Sequence, residues 1–486
     1  MASELKQKAV SGIVWTALQK YSTILIQFIS GIILARLLTP YDYGCIGMLT
    51  IFMVLAQTFI DGGFGSALIQ KKRPTEADYS SIFWWNMGMA VVMYAILFLC
   101  APSIARFYKI PLLSDVLRVQ GLILFIYAFN IIQQNQLRKK LNFKLISIVT
   151  IITSIIALSV TIWMAYSGFG VWSLVAQYMI TAAIPAVVFW FTVKWRPQFV
   201  FSTKSFKELF GFGFYMFMTQ LISEFSRQIQ GLLIGKVYNP VTLGYYSKAN
   251  STERLASTSI SQIVDQVAYP LYAEVQDDSQ LLSSAIKRLT TVVAFVSFPI
   301  MFILFLCTKP LFVILYSERW LPSVPFFQVL CLAGLAYCLQ SVNTQPIAAI
   351  GKSKTMFRWT LVKRITGLSF VVIGLVLWNM KGLLCGVVLN TWFCYFINIG
   401  LVSKFIGYKW YQQLKHLAPI MVLAITATWI TYLISKLLTT NLYIEGILNI
   451  LIYLTIYVGC SVFFKLDAYV YFKEISSYVL KKTVKK

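Results

Sequence analysis

Long apolar stretches recur along the whole chain, separated by short polar segments. A helix needs about 20 mostly apolar residues to cross the hydrocarbon core of a membrane. Fourteen stretches of this kind are present, near 12–38, 43–69, 81–101, 115–135, 145–166, 171–193, 210–236, 247–270, 288–308, 324–350, 358–379, 382–404, 416–437 and 445–464. Their residues do not alternate between apolar and polar, as the strands of a membrane barrel do. The pattern predicts an all-α integral membrane protein with fourteen transmembrane helices.

The composition agrees with a membrane protein. Of the 486 residues 58% are hydrophobic and only 12% are charged, and the mean hydropathy is +0.73. An ordinary soluble domain is about 25% charged, so this chain lacks the polar residues that would cover a soluble body. A soluble globular enzyme is therefore excluded, and a nucleic-acid binder is disfavoured. The connecting segments are too short to form a separate catalytic domain.

The charge is unevenly distributed, and this predicts the orientation. The net charge is +25, from 42 Lys and Arg against 17 Asp and Glu. When the N-terminus is placed inside, 27 basic residues fall in inner segments and 8 in outer ones. Basic residues accumulate in cytoplasmic loops. We therefore expect both termini in the cytoplasm, and an even number of spans agrees with this because it places both termini on one side. The first span reads as a retained helix, since no cleavage site follows it.

The sequence offers little for metal or nucleotide chemistry. The 8 cysteines form no CxxC pair and read as free thiols in apolar surroundings. The single histidine, His416, has no second histidine with which to build a metal site, so it reads as an interfacial side chain. No Walker A motif is present, which argues against ATP as the direct energy source. We expect no bound metal or cofactor.

An internal repeat divides the chain. The strings GIILARLLTPYDYG (31–44) and GLLIGKVYNPVTLG (231–244) match at an offset of 200. The repeat places span 1 opposite span 7 in the same direction, an arrangement found in transporters whose site lies between two halves. We predict an N-lobe of spans 1–6 over residues 1–209 and a C-lobe of spans 7–12 over 210–415. Spans 13 and 14 and a basic cytoplasmic tail then occupy 416–486.

Ionisable and amide side chains occur inside several predicted spans, at matching places in the two halves. A charge at mid-membrane costs roughly 2.5–3.5 kcal/mol on insertion scales, so it usually faces a cavity or a partner. We predict a water-filled cavity between the halves. Its cations are Lys20, Arg227 and Arg254, and its polar lining is Gln27, Gln220, Gln228, Asn250, Ser257 and Ser261. The acids are Asp61, Glu224 and Asp265.

These side chains have two alternative interpretations. The cations suit an anionic substrate, because the planar fork of arginine donates two parallel hydrogen bonds to a phosphate. The acids either bind H⁺ or Na⁺ for coupling or balance the neighbouring cations. The alternative is that the residues form helix–helix contacts, with Glu224 and Arg227 closed into an i,i+3 ion pair. For a single residue the two interpretations are about equal. For the whole set, the cavity is favoured.

Four segments carry a family resemblance: ILARLLTPYDYG (33–44), FIDGGFGSALIQKKRPTEADYSSIFWWN (59–86), LGYYSKANSTERL (243–255) and VAYPLYAEVQDD (267–278). Through them the chain resembles the polysaccharide transporters, or O-antigen flippases, of the multidrug/oligosaccharidyl-lipid/polysaccharide exporter superfamily. The resemblance implies two six-helix lobes about a cationic cavity, and a groove beside spans 13 and 14 for a lipid tail. It also implies that Lys20, Arg227 and Arg254 fill the places where such relatives engage a diphosphate-sugar.

The activity implied by the resemblance is not enzymatic. An undecaprenyl-diphosphate-linked oligosaccharide would move from the inner to the outer leaflet of a bacterial cytoplasmic membrane, by alternating access, for surface polysaccharide or lipopolysaccharide biosynthesis. Its expected partners are the lipid-linked substrate, membrane lipid, and a polysaccharide polymerase or glycosyltransferases. The alternatives are an ion-coupled drug/cation antiporter of the same superfamily, a lipid II flippase, a membrane enzyme of lipid-linked glycan assembly, and a non-transporting assembly scaffold. The short loops disfavour the membrane enzyme. The rows of polar side chains within the predicted spans, which we call the polar stripes, disfavour the assembly scaffold.

Overall fold

The structure is a computed structural model that describes residues 2–438 and 441–484. All regular secondary structure within these residues is helical, which confirms the all-α prediction. The chain divides into two compact units, Met1–Ser247 and Lys248–Lys486. The predicted lobe boundaries at 209 and 415 stay predictions.

The first unit holds nine helices and the start of a tenth. They are α1 (Ala2–Leu37), α2 (Pro40–Asp61), α3 (Phe64–Gln70), α4 (Glu76–Tyr108), α5 (Leu112–Gly121), α6 (Ile123–Lys139), α7 (Phe143–Tyr166), α8 (Val171–Thr192), α9 (Thr203–Val237) and α10 (Pro240–Glu274). Its core lies between α3, α4, α6, α7, α8 and α9. Phe64, Ile82 and Phe189 are fully enclosed there.

The second unit contains the rest of α10 and seven further α-helices. They are α11 (Ser279–Leu306), α12 (Thr308–Tyr316), α13 (Val324–Ala349), α14 (Ser353–Phe405), α15 (Trp410–Leu438), α16 (Leu442–Phe463) and α17 (Asp467–Val484). A 3₁₀ helix, Glu318–Ser323, precedes α13. The core of this unit encloses Tyr272, Phe298 and Tyr453.

Large apolar side chains also cover the outer faces of both units. Phe191 is 79% exposed and Leu437 is 86% exposed, and both lie on long apolar helices. A soluble monomer rarely exposes contiguous apolar surface of this kind. Lipid is the solvent that these faces suit, so the protein is a multi-pass membrane protein.

Eleven segments of the described chain are long and apolar enough to cross a membrane. One of them, Lys354–Phe405, consists of two helices that meet at a kink with non-helical angles at Trp378 and Asn379. It therefore covers two predicted spans, 358–379 and 382–404. Predicted spans 7 and 8 correspond to α9 and α10, whose charged and amide side chains keep them out of this apolar set. The count of fourteen spans stays a prediction.

Several helices extend well beyond the spans that hydropathy predicts, and α9, α10 and α11 are examples. α9 and α10 each have 35 residues, which corresponds to about 52 Å at ~1.5 Å per residue. α11 begins nine residues before its predicted span, at Ser279. The added turns at the starts of α9 and α11 are rich in polar residues and have side-chain N-caps. The Ser202 hydroxyl accepts from Ser205 N at 3.2 Å, and Asp278 accepts from Gln280 N at 2.8 Å.

The repeat detected in the sequence is also present in the helix boundaries. α1 ends at Leu37 and α2 begins at Pro40, while α9 ends at Val237 and α10 begins at Pro240. In both turns a polar side chain caps the next helix, which then starts with proline, the residue favoured at the first helical position. Thr39 accepts from Asp42 N at 3.4 Å, and Asn239 accepts from Thr242 N at 2.8 Å.

Candidate functional site

Lys20 and Gln27 are the predicted cavity residues of α1. α1 packs on α7, and the Ser147 hydroxyl donates to the Trp15 carbonyl at 2.9 Å. Lys20 is half-buried, and Gln27, two turns further on, is exposed. Residues seven apart lie on one helical face, so these two predicted side chains share an accessible face of the helix.

The stripe of α9 contains the ion pair that its spacing allows. The Arg227 guanidinium donates to the Glu224 carboxylate, with half of the arginine side chain still exposed. Gln220 is exposed, and Gln228 is half-buried. The positive charge of Arg227 is therefore balanced by Glu224, while the amides beside it remain accessible to a polar ligand.

The stripe of α10 in the second unit is more enclosed. Asn250 and Arg254 are half-buried. Ser257 and Ser261 are buried inside the unit, which favours the helix-contact interpretation for these two hydroxyls. Asp265 accepts a hydrogen bond of 2.6 Å from the Gln345 amide on α13. Any cavity role for these residues stays a prediction.

Two buried ionisable residues of α10 were missed by the sequence analysis. Lys248 falls in an outer segment of the predicted topology, but it is only 4% exposed, and its ammonium lies 4.1 Å from the centre of the Tyr316 ring. Glu253 is 6% exposed and lies against Gly334, where an added Cβ would come 2.5 Å from Glu253 Oε1. The sequence showed both residues within LGYYSKANSTERL, but their spacing did not indicate that they would be enclosed.

Asp61 has a structural role at a helix break. The predicted span 43–69 is interrupted at Gly62 and Gly63, which both have positive φ, 54° and 73°. The Asp61 carboxylate lies against the start of α3, since a Cβ added at Gly65 would lie 2.9 Å from Asp61 Oδ1. A carboxylate is favoured at a helix N-terminus, where N–H groups have no helical partner. Asp61 therefore suits its place at the turn into α3.

The segment 59–86 is one of the four that carry the family resemblance, and it contains the hairpin between α3 and α4. Ion pairs and hydrogen bonds hold this hairpin in place. The Lys71 ammonium lies 3.0 Å from both Asp78 and Glu208 and so ties this hairpin to α9. Asp78 also accepts from Thr75 N at 2.8 Å, within a capping box at the start of α4. Lys139 donates to the Leu68 carbonyl at 3.0 Å, at the C-terminal end of α3. Lys71 and Lys139 belong to the basic inner segments that predict the orientation, and both also make specific contacts within the fold.

Replacing Lys71 with glutamine is expected to destabilise the protein, since Asp78 is almost fully buried. Burial lowers the pKa of Lys71, but hydrogen bonds and attraction from Asp78 and Glu208 outweigh it and raise the pKa. The lysine therefore stays charged at physiological pH. Loss of a partner to a buried polar group costs about 1–3 kcal/mol. We expect a melting temperature several degrees lower for Lys71→Gln than for Lys72→Gln, a change at its exposed neighbour. Equal melting temperatures would contradict this role.

The starts of the two repeat-related helices α2 and α10 meet in a reciprocal contact, which we call the glycine junction: Pro40, Gly44, Pro240 and Gly244. A Cβ added at Gly44 would lie 1.7 Å from the Pro240 carbonyl oxygen. A Cβ added at Gly244 would lie 1.9 Å from the Pro40 carbonyl oxygen. Close carbon–oxygen contacts are about 3.3–3.6 Å. Only glycine therefore permits this approach, and each repeat supplies the glycine that the other requires.

A known protein family accounts for this combination of repeat, hairpin and helices. The sequence profile of the family described as "Polysaccharide biosynthesis protein" matches residues 33–325. The chain belongs to this family. The matched region begins in α1 and contains the glycine junction, the 59–86 hairpin and the whole of α9 and α10. The resemblance found in the sequence is confirmed.

Curated relatives in the family cover most of the chain. The teichuronic acid biosynthesis protein TuaB of Bacillus subtilis is 26% identical over 357 residues, which is 73% of this chain and 74% of the relative. The succinoglycan biosynthesis transport protein ExoT of Rhizobium meliloti is 25% identical over 399 residues, or 82% of this chain and 78% of the relative. The similarity therefore extends beyond a single motif.

A solved structure has a similar fold. The lipid II flippase MurJ in an inward closed conformation superposes with a TM-score of 0.74 at 16% identity, covering 93% of this chain and 99% of that one. At this identity the likeness establishes the fold and not the substrate. The likeness agrees with the all-helical membrane fold predicted from the sequence.

Proposed function

We propose that this protein is a flippase that moves undecaprenyl-diphosphate-linked oligosaccharide units from the inner to the outer leaflet for surface polysaccharide biosynthesis. The match of residues 33–325 to a polysaccharide biosynthesis family carries the proposal. The name of ExoT, a succinoglycan biosynthesis transport protein, supports transport as the activity. The polar stripes of α1 and α9 supply the cations and amides that a diphosphate-sugar headgroup would contact.

The proposal includes the membrane and the orientation. We place the protein in the bacterial cytoplasmic membrane with both termini in the cytoplasm, because basic residues are concentrated in segments on that side. The turns between α1 and α2 and between α9 and α10 then lie at the outer surface. The glycine junction would consequently close the outer end of the path that the headgroup takes.

The proposed mechanism is alternating access. The headgroup enters from the cytoplasm while the junction is closed and the polyprenyl tail remains in lipid. Lys20, Arg227 and Arg254 replace water around the diphosphate, with Glu224 weakening the hold of Arg227 so that release is possible. The junction then separates, and the headgroup leaves on the outer side. An equilibrium shifts only if the two states bind the ligand differently, so the cations must face the headgroup more closely in one state.

No bond is made or broken in this mechanism, so the protein acts as a transporter and not as an enzyme. We propose that no cofactor takes part and that H⁺ or Na⁺ supplies the coupling. Among the acids predicted for this role, Asp61 lies against the start of α3, Glu224 pairs with Arg227, and Asp265 accepts from Gln345. Glu253 is a fourth candidate, because it is buried and ionisable on the same helix as Arg254. A polymerase or glycosyltransferases would be the functional partners.

Inactivation in the source cell tests the proposal. A cell without the protein is expected to lose its surface polysaccharide and to accumulate the lipid-linked oligosaccharide, still accessible only from the cytoplasmic side. Lipid extracts and surface glycan staining measure the two effects. Normal surface polysaccharide with no accumulated precursor would contradict the proposed function. Loss of cell-wall peptidoglycan instead would support the lipid II alternative.

A further inference from the structure

A polar groove in the second unit has no role in the mechanism above. It has a volume of about 360 Å³ and is lined by Ser283, Ser284, Lys287, Tyr408, Gln412, Lys415 and His416. The volume lies in the range of small-ligand sites, roughly 300–1,000 Å³. The lining residues come from the start of α11, the start of α15 and the segment just before α15. We infer that this groove binds a phosphate-bearing headgroup at the inner membrane surface.

The charges of the groove favour an anion. Lys287 is half-buried and Lys415 is exposed, and the two lysines line one space beside the imidazole of His416. None of the seven lining residues is acidic. Three acids belong to the neighbouring helices: Glu474 is paired with Arg288, Asp278 caps the start of α11, and Asp467 acts on His416 from the start of α17. Lysine ammonium groups near a bilayer surface attract anionic headgroups by about 1 kcal/mol each.

The uncharged residues that line the groove can donate hydrogen bonds to a phosphate. Burial raises the pKa of Tyr408, so its hydroxyl stays protonated and able to donate. Gln412 Oε1 accepts from Lys409 N at 3.2 Å, which leaves the amide N–H groups for a ligand. The rings of Tyr408 and His416 are stacked with centroids 6.4 Å apart. Ser283 and Ser284 add two hydroxyls. Phosphate oxygens accept from all of these groups.

The position of the groove distinguishes it from the predicted cavity residues. Lys287 and Lys415 belong to the inner segments of the predicted topology, and α11 and α15 both enter the membrane from here. α17 lies along α11, with Phe472 against Phe295 at a ring-centroid distance of 5.6 Å. A headgroup in the groove would bring its acyl or prenyl chains beside these helices. The phosphate could belong to an anionic phospholipid or to a diphosphate lipid, and the chemistry of the groove is the same for both.

Binding to the purified full-length protein tests the inference without any measurement of transport. Native mass spectrometry would follow titration with phosphatidylglycerol in one arm and inorganic diphosphate in the other, and phosphatidylcholine would report non-specific lipid. Relative to the wild type, the double variant Lys287→Gln/Lys415→Gln is expected to bind at least one anionic probe about tenfold more weakly. The double variant Lys194→Gln/Lys204→Gln, at exposed inner-segment lysines of the first unit, should bind as the wild type does.

The two arms identify the source of the phosphate. Weakened binding of phosphatidylglycerol alone assigns the groove to a phospholipid, and weakened binding of diphosphate alone assigns it to a diphosphate headgroup. Lys287→Arg/Lys415→Arg should restore binding, because the positive charges are kept. Unchanged binding of both probes by the glutamine variant would overturn the inference. That result would leave the proposed flippase function intact, since the cell test does not depend on this groove.

Discussion

Gly44→Ala and Gly244→Ala are each expected to remove most transport while leaving the amount of protein in the membrane unchanged. Either methyl group would lie within 2 Å of a carbonyl oxygen of the facing helix. The starts of α2 and α10 would have to separate by more than 1 Å to reach an ordinary contact of about 3.3 Å. Overpacking of this kind costs about 1–3 kcal/mol, which corresponds to a roughly ten- to hundredfold smaller population of the closed junction.

A reporter cysteine measures this opening directly. Gly47 packs on the next turn of α10, with its added Cβ position 3.4 Å from the Ser247 hydroxyl. In a background without the native cysteines, Ser247→Cys is expected to react slowly with a membrane-impermeant maleimide applied outside. Adding Gly44→Ala should accelerate the labelling. Gly88→Ala in α4 is the matched control, because nothing lies within 4 Å of its added methyl group. Wild-type transport and slow labelling in the Gly44 variant would contradict the closing role of the junction.

Lys20→Gln and Arg254→Gln are expected to lower transport by about tenfold or more each. A hydrogen bond to a charged group contributes about 1.5–3 kcal/mol, and 1.4 kcal/mol corresponds to a factor of ten in affinity. Arg227→Gln should have a smaller effect, since Arg227 is already paired with Glu224. Transport of a lipid-linked oligosaccharide in reconstituted vesicles, normalised to protein content, measures all three variants.

The control for these variants is Lys194→Gln, which removes an exposed lysine of an inner segment. It should transport at the wild-type rate. Equal transport by the wild type, Lys20→Gln and Arg254→Gln would show that these cations do not engage the substrate. The polar stripes would then be helix–helix contacts, the alternative that the sequence left open.

The features of the fold that could be predicted are those that follow from local pattern. Apolar stretches indicated the helices because lipid imposes both length and composition on a span. The offset of 200 between two Pro-containing turns indicated the repeat. The ends of α1 and α9 and the starts of α2 and α10 match this offset residue for residue. The polar ends of α9, α10 and α11 were underestimated, because hydropathy ends where apolar residues end, whereas a capped helix continues into water.

The candidate site was less accessible to sequence analysis because its chemistry depends on contacts between distant residues. The spacing of Glu224 and Arg227 allowed their pairing to be considered. By contrast, the enclosure of Lys248 by Tyr316 and of Glu253 by Gly334 requires helices far apart in the sequence to pack together. The reciprocal fit of Gly44 and Gly244 shows the same limit: the repeat identified both glycines, but only the structure shows that they face each other's helix.

In the proposed function the protein itself moves a lipid-linked oligosaccharide across a bilayer, without a second protein. The most direct measurement uses the purified protein in vesicles that carry a fluorescent polyprenyl-diphosphate oligosaccharide, with a membrane-impermeant quencher added outside. Quenching beyond the initially accessible fraction is predicted to proceed rapidly with the protein and slowly in protein-free vesicles or with Gly44→Ala. Equal quenching in vesicles with and without correctly folded protein would show that the protein does not transport this lipid.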